Sequence, residues 1–163
     1  MTTELTFTTT DSDWTPPTSY PDLSDRSMIA IDLETRDPNI KKTGPGWPTK
    51  DGEIVGIAVA TDGFKGYFPI AHERGDNLDP AMTMKWFQKI MSSDADKICH
   101  NASYDIGWCR ASGIKTNGKI IDTMLAGAII DENRRGYSLN ALSAEYLGEI
   151  KSEVKLREKA EEW

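Results

Sequence analysis

Residues 28–35 are the stretch that most restricts what this chain can fold into. They read Met-Ile-Ala-Ile-Asp-Leu-Glu-Thr, an apolar run that leads into two carboxylates separated by one leucine. Such a run is typical of a strand buried in a sheet. Alternate side chains of a strand point to the same face, so Asp32 and Glu34 are expected about 6–7 Å apart on one side. Carboxylates this close repel each other unless a cation lies between them or one is protonated, so the stretch predicts half of a divalent-metal site.

The remaining elements predict a mixed sheet with helices packed on it, which is an α/β fold. Strands are predicted over residues 28–34, 53–60, 66–70, 97–100 and 119–121, and helices are predicted to begin near residues 80, 103, 123 and 139. The turn signal Thr61-Asp62-Gly63 joins the second and third strands, so the first three strands form an antiparallel meander. Strands then alternate with helices, while residues 44–48 (Gly-Pro-Gly-Trp-Pro) predict an irregular loop. The order predicts a five-stranded mixed sheet flanked by helices.

The two ends of the chain differ in composition from this central part. Residues 1–27 are rich in Thr, Ser, Pro and Asp without a helical or strand period, which predicts an extended arm. Trp14 and Tyr20 are expected to hold that arm on the domain surface. Residues 149–163 alternate Glu and Lys and predict a charged, solvated helical tail. The chain is therefore divided into an arm, one domain over residues 28–148 and a tail.

Composition limits the class of function. A net charge of −7 argues against a general electrostatic grip on nucleic acid, but an enzyme that binds phosphate through divalent ions needs local acid. The longest apolar runs are too short to cross a bilayer, and no secretory signal is visible, so we expect a cytoplasmic protein without a membrane partner. Cys99 and Cys109 match no zinc spacing and predict two buried free thiols.

A second acidic motif follows the fourth predicted strand. Asn101 and Asp105 are four residues apart at a helix start, a spacing that puts both on one side of the helix. The strand before this helix is a plausible neighbour of the first strand, so Asp105 is expected to approach Asp32 and Glu34. Two metal ions held by such carboxylates can activate a water and stabilise a leaving oxygen in phosphodiester hydrolysis. Asn101 fits a helix cap as well as a substrate contact.

These two motifs resemble those of a known enzyme family. Asp32-Leu33-Glu34-Thr35 is similar to the first motif (Asp-x-Glu) of the DEDD, or DnaQ-like, 3′→5′ exonucleases. Asn101-Ala102-Ser103-Tyr104-Asp105 is similar to the second motif (Asn-x-x-x-Asp). Residues 67–72, 122–125 and 138–142 closely resemble segments of the proofreading domain of family A (Pol I-like) DNA polymerases, and the arm and the loop at 44–48 resemble phage members. The resemblance covers roughly residues 28–148.

The resemblance implies a ribonuclease H-like fold, a site and its partners. Asp32 would bind both of two divalent ions, Mg²⁺ or Mn²⁺, while Glu34 would bind the ion that activates the water and Asp105 would serve the other. Thr35, Asn101 and Tyr104 would lie near the 3′-terminal nucleotide. The implied partners are the single-stranded 3′ end of DNA and the polymerase domain of a parent protein, in the nucleoid or the cytoplasm of an infected host.

One departure from the family concerns its third motif, Tyr-x-x-x-Asp or His-x-x-x-x-Asp. Tyr137 is followed at that spacing by Ala141, and Tyr146 by Ile150. Asp122 is a candidate fourth carboxylate, although a helix cap explains it better. We therefore expect a truncated exonuclease domain that is weakly active or inactive as an isolated chain. Two alternatives remain open, namely a catalytically silent DNA-binding or structural module and an RNA 3′ exonuclease with the same motifs.

Overall fold

The computed structural model describes residues 15–73 and 75–148, which form five strands and five helices. The strands are β1 (Met28–Arg36), β2 (Glu53–Thr61), β3 (Phe64–Pro69), β4 (Asp96–Cys99) and β5 (Ile120–Asp122). The helices are α1 (Ile40–Thr43), α2 (Pro80–Met91), α3 (Ala102–Ala111), α4 (Thr123–Ile130) and α5 (Leu139–Leu147). Within these described residues, no helix has the length and apolar character needed to cross a bilayer.

The five strands form one mixed sheet in the order β3-β2-β1-β4-β5. β2 pairs antiparallel with both β1 and β3, whereas β4 pairs parallel with both β1 and β5. The predicted meander and the predicted five-stranded mixed sheet are therefore confirmed. β1 lies at the centre of the sheet, between β2 and β4.

The core lies on one face of the sheet because the strands alternate. Ile29, Ile31 and Leu33 of β1 are buried, while Asp32 and Glu34 between and beyond them are exposed. The buried face packs against apolar side chains of α2 and α3 in one continuous cluster. Each such large side chain contributes about 1.5–3 kcal/mol when it is fully buried. The alternation thus fixes which face of β1 carries the acidic pair.

Residues before β1 pack on this core. The Tyr20 ring stacks on Phe68 with centroids 5.8 Å apart, and its hydroxyl is 2.7 Å from the Thr83 hydroxyl. The predicted attachment of the arm through Tyr20 is therefore confirmed. Trp14 and the predicted tail over residues 149–163 lie outside the described residues.

Three buried side chains, one lysine and two cysteines, belong to the core of the structure rather than to a site. Lys97 is fully buried, and its Nζ donates to the carbonyl oxygens of Ser93, Ala95 and Asn117 at 2.6–3.0 Å. Cys99 and Cys109 are free and buried, as predicted. Burial raises the pKa of both thiols to about 12, so they remain neutral in the core.

The segment between β1 and β2 adds one helix to the irregular loop predicted over residues 44–48, which has no helix or strand. It contains the single-turn helix α1, which is too short to show a period in the sequence. Trp47 of the following loop packs on Gly107 of α3, where an added Cβ would lie 2.5 Å from indole atoms. Trp47 is therefore an anchor between this loop and α3.

This contact predicts an unusual response to a glycine substitution. Alanine normally favours a helix interior over glycine by up to about 1 kcal/mol. Gly107→Ala is instead expected to lower the free energy of unfolding by about 1–3 kcal/mol, because the indole cannot move aside without disturbing the loop. Urea unfolding checks this. In a Trp47→Ala background the same substitution should stabilise the protein, and an equal loss in both backgrounds would contradict the contact.

Candidate active site

The end of β1 is where the strand loses one of its two partners. β1 pairs with β4 only over Met28, Ile29 and Ala30, whereas its pairing with β2 continues to Arg36. The last part of β1 thus faces the start of α3 instead of a strand. The ladder with β2 also shifts register between Glu34 and Thr35, and such irregularities re-aim side chains near functional sites. Asp32 and Glu34 are both exposed on this part of β1.

Asp105 joins the acidic pair through the backbone of β1. It lies in the first turn of α3 and is 3% exposed. Its Oδ1 accepts the N–H of Leu33 at 3.0 Å, and Leu33 is the residue between Asp32 and Glu34. The carboxylate therefore occupies the position where a further strand residue would have paired. The approach of Asp105 to the acidic pair, which the two motifs predict, is present in the fold.

The burial of Asp105 changes its ionisation. Burial raises the pKa of this carboxyl to about 7, the negative charges of Asp32 and Asp122 act in the same direction, and the Leu33 N–H acts against them. A carboxyl with a pKa near neutrality ionises readily when a positive charge approaches. Strongly shifted pKa values in a cluster of acidic groups are also typical of functional sites.

The donor set fits a hard divalent cation, although it is not a finished ligand cluster. Across residues 15–73 and 75–148, no three His, Cys, Asp or Glu side chains already converge on one point. Carboxylates repel one another, so convergence is expected only around a shared cation. Asp32, Glu34 and Asp105 supply oxygen donors from one strand and one helix, and oxygen donors are what Mg²⁺ and Mn²⁺ take. These three residues would hold the metal.

Asp122, the candidate fourth carboxylate, has a structural role. Its side chain accepts the N–H groups of Met124 and Leu125 and so caps α4, as the sequence predicts. It also accepts the N–H groups of Asn101 and Ala102 at 3.2 and 2.8 Å. Burial alone would raise the pKa of this carboxyl, but the four N–H groups outweigh burial and lower it. Asp122 therefore fixes the start of α3, on which Asp105 lies.

Asn101 does not cap α3 with its side chain. It occupies the N-cap position in a left-handed conformation, with φ 67° and ψ 54°, and makes no side-chain capping bond. The cap that the sequence offers for Asn101 is thus wrong, because Asp122 takes the N–H groups at this helix start. The Asn101 side chain is exposed, and its Oδ1 accepts the Ser103 hydroxyl at 3.1 Å. Its predicted contact with substrate stays a prediction.

Thr35 and Tyr104 connect the two motifs. Their hydroxyl groups are 2.7 Å apart, and the Tyr104 hydroxyl donates to Asp37 Oδ2 at 3.0 Å. Because a phenol has one hydrogen, Thr35 must be the donor to Tyr104. The chain Thr35–Tyr104–Asp37 fastens α3 to the end of β1 at the level of the acidic pair. Their predicted role near the 3′-terminal nucleotide stays a prediction.

Tyr67 lies on the same open face of the sheet as Asp32 and Glu34. The sequence does not predict this position of Tyr67. It lies opposite Ala58, and Ala58 lies opposite Asp32. A groove of about 610 Å³ is lined by Asp32, Tyr67 and small residues such as Ala30. The alternation of residues along the strands predicts that Tyr67 lies beside the acidic pair only when the pairing register of β1, β2 and β3 is known.

Solved structures that resemble this fold include a polymerase domain and nucleases. The chain resembles the POL domain of Pol1 from M. smegmatis in complex with DNA primer-template and dNTP, with a TM-score of 0.59 and 19% identity over 81% of this chain and 21% of that one. It also resembles Brucella melitensis NrnC with bound Mg²⁺, with a TM-score of 0.60 and 16% identity over 80% of this chain and 58% of that one. The predicted ribonuclease H-like fold is confirmed.

Sequence relatives identify the family. Residues 20–163 match the family model described as 3′–5′ exonuclease. A DNA-directed DNA polymerase of Pseudomonas phage M6 is 33% identical over 160 residues, which are 93% of this chain and 24% of the phage protein. The chain thus spans about a quarter of that relative's length. The resemblance to phage-type family A polymerase proofreading domains is confirmed, and the chain belongs to the 3′–5′ exonuclease family.

Proposed function

We propose that this chain removes nucleotides one at a time from the 3′ end of single-stranded DNA, as the proofreading module of a phage DNA polymerase. The observation that carries the proposal is the bond from the Leu33 N–H to Asp105, which places a third carboxylate beside Asp32 and Glu34. The polymerase partner is proposed because the phage relative is about four times as long as this chain. The expected place of action is the cytoplasm of an infected host.

The three carboxylates have different roles in this proposal. Asp32 would bind both of two divalent ions, Mg²⁺ or Mn²⁺, Glu34 would bind the ion that activates the water, and Asp105 would serve the other ion. The ions would supply an activated water and charge stabilisation of the leaving oxygen, and the products would carry 5′-phosphates. The backbone bond from Leu33 holds Asp105 in place before substrate arrives. Asp122 and Tyr104 maintain that geometry by fixing both ends of the first turn of α3.

The terminal nucleotide is expected to lie between the exposed side chain of Asn101 and the end of β1. Thr35 and Tyr104 border this space with their hydroxyl groups. The catalytic centre is open on the face that carries Asp32 and Glu34. An open centre with an acidic floor suits a flexible strand end whose phosphates are neutralised by cations rather than by basic side chains.

The test of this proposal is the polarity of digestion. A short single-stranded DNA labelled at its 5′ end is incubated with a high concentration of the chain and Mn²⁺, with an EDTA control. A ladder that shortens by one nucleotide from the 3′ end is expected, and a phosphorothioate at the last linkage should slow it. Cleavage from the 5′ end or inside the strand would contradict the proposal. An RNA of the same sequence, digested faster than the DNA, would favour the RNA exonuclease alternative.

In the silent-module alternative, Asp32, Glu34 and Asp105 hold no catalytic metal. This alternative predicts DNA binding without any ladder and without metal binding that depends on the carboxylates. The carboxylates at the end of β1 favour the enzyme, because a binding module has no need to bury Asp105 next to Asp32. Gel-shift and digestion measurements on the same DNA separate the two functions.

A further inference from the structure

Tyr67 reaches across the sheet toward the acidic pair. It lies on β3 opposite Ala58 of β2, and its ring leans diagonally over Gly56, two residues along β2. Gly56 in turn lies opposite Glu34 of β1. The phenol hydroxyl therefore ends above the residue that neighbours Glu34, on the face that carries both exposed carboxylates.

Gly56 is required for this reach. A Cβ added to it would overlap the hydroxyl and the terminal ring atoms of Tyr67. Gly56 is buried and lies in the middle of β2, a position where glycine normally weakens a strand. Close approach of another group to the backbone is one of the reasons a strand keeps a glycine. Here the group that approaches is the phenol.

The other side of the phenol is held by His72. Its Nε2 is hydrogen-bonded to the Tyr67 hydroxyl, and both side chains are half-buried. The backbone of His72 is itself clamped by Asn77, whose Oδ1 accepts the His72 N–H and whose Nδ2 donates to the His72 carbonyl, both at 2.8 Å. The phenol is thus held between Gly56 of β2 and His72 of the loop after β3. The bonds of Asn77 in turn fix His72 in that loop.

The phenol has one hydrogen, so it can donate a hydrogen bond either to His72 or toward the acidic pair, but not to both. If His72 Nε2–H donates to the phenol oxygen, the hydroxyl hydrogen is directed toward the acidic pair. A tyrosine phenol is neutral at neutral pH, so the hydroxyl stays a donor. A neutral donor beside a carboxylate can fix its orientation without adding charge.

We propose that Tyr67 is a positioning residue that orients the Glu34 carboxylate for binding of a divalent cation. His72 holds the phenol by a hydrogen bond, and Gly56 leaves the space that the phenol occupies. The inference rests on the proposed function, because it assumes that Glu34 binds metal. Groups that orient a metal ligand typically change metal affinity by about 10–100-fold when they are removed. Tyr67→Phe keeps the ring over Gly56 and removes only the hydroxyl.

The test is Mn²⁺ binding to the full chain, measured by calorimetry or by the electron paramagnetic resonance of free Mn²⁺. Tyr67→Phe and His72→Leu are expected to weaken Mn²⁺ binding by about 10–100-fold. His72→Gln places an N–H donor where Nε2 lies and should restore most of the affinity. Tyr20→Phe is the matched control, since it removes a phenol bond, to Thr83, on the core side of the sheet.

The outcomes separate this inference from the proposed function. If the parent chain binds Mn²⁺, Asp32→Ala abolishes binding and Tyr67→Phe binds as tightly as the parent, the positioning role is wrong and the metal site stands. If the parent shows no binding that depends on Asp32, both are wrong. Thermal unfolding is recorded for each variant. An affinity loss in Tyr67→Phe with an unchanged melting temperature supports the positioning role, whereas equal losses of affinity and stability in Tyr67→Phe and Tyr20→Phe contradict it.

Discussion

Asp105→Asn is expected to stabilise the metal-free protein at pH 8 while it abolishes metal-dependent activity. The Asp105 carboxyl has a pKa of about 7 in the fold against an ordinary value of 3.8. The folded protein therefore holds this proton more tightly than the unfolded chain does. Consequently, the free energy of unfolding falls as the pH rises from about 4 to about 7, by up to about 1.4 kcal/mol per pH unit. Asparagine has no such proton to lose.

The structure explains why asparagine is tolerated at this position. An amide has the size of the carboxyl and can accept the Leu33 N–H through its oxygen, as Asp105 Oδ1 does. It resembles the protonated carboxyl, which is the form that burial favours. It also lacks the negative charge that a cation would need. Asp105→Asn thus removes the free-energy cost of ionising a buried carboxyl. It also removes the carboxylate that is proposed to bind metal.

Chemical unfolding in EDTA measures this effect. The stability gap between Asp105→Asn and the parent should widen by about 2–3 kcal/mol between pH 5 and pH 8. The melting temperature at pH 8 should rise by roughly 5–10 °C. Asp62→Asn, in the exposed turn between β2 and β3, is the control and should show no widening gap. A gap that is the same at both pH values would show that Asp105 is not the group that titrates.

Asp32→Ala is expected to have the largest effect on hydrolysis. Asp32 is the carboxylate proposed to serve both cations, and it is exposed on β1, so its loss should leave the fold intact. The rate of removal of the 3′-terminal nucleotide should fall on the order of a thousandfold, which corresponds to about 4 kcal/mol of transition-state stabilisation. Single-turnover digestion of labelled single-stranded DNA in Mn²⁺ measures the rate.

The control for this substitution is an exposed aspartate far from the end of β1. Asp62→Ala should digest DNA at the parent rate, and both variants should melt close to the parent temperature. Residual digestion by Asp32→Ala at the parent rate would place the chemistry elsewhere. Glu34→Gln should also slow digestion, because the neutral amide oxygen is a weaker ligand for a divalent cation than the charged carboxylate.

Much of the fold follows from local signals in the sequence. The start of α2 is predicted by Asp79 and Pro80, and the structure shows the Asp79 side chain accepting the Met82 N–H at 2.7 Å. The strand period places Asp32 and Glu34 on one face, and the structure confirms it. Such signals act within a few residues, so the sequence shows them directly.

The site depends on contacts that local signals do not contain. The bond from Leu33 to Asp105 joins residues 72 positions apart, and it exists only because β4 stops pairing with β1 after Ala30. Asp122 is predictable as the cap of α4, but its bonds to the N–H groups of Asn101 and Ala102 require the parallel pairing of β4 and β5. That tertiary arrangement is why the cap expected from Asn101 is wrong.

The family resemblance supplies what geometry alone does not. Two carboxylates on a strand and one on a helix are compatible with several classes of metal enzyme. Only the order of the motifs and the matching segments narrow these classes to the 3′–5′ exonucleases. Tyr67 illustrates the reverse case. Its segment, residues 67–72, resembles the family, yet its reach over Gly56 toward Glu34 is visible only in the structure.

The central claim is that Asp32, Glu34 and Asp105 form one divalent-metal site. Its most direct measurement is a Mn²⁺ titration of the chain and of Asp32→Ala, with binding followed by calorimetry at pH 8. We predict saturable Mn²⁺ binding to the parent chain that is lost in Asp32→Ala, with Asp62→Ala binding as the parent does. Equal Mn²⁺ binding by the parent and by Asp32→Ala, or no binding by the parent, would contradict the claim.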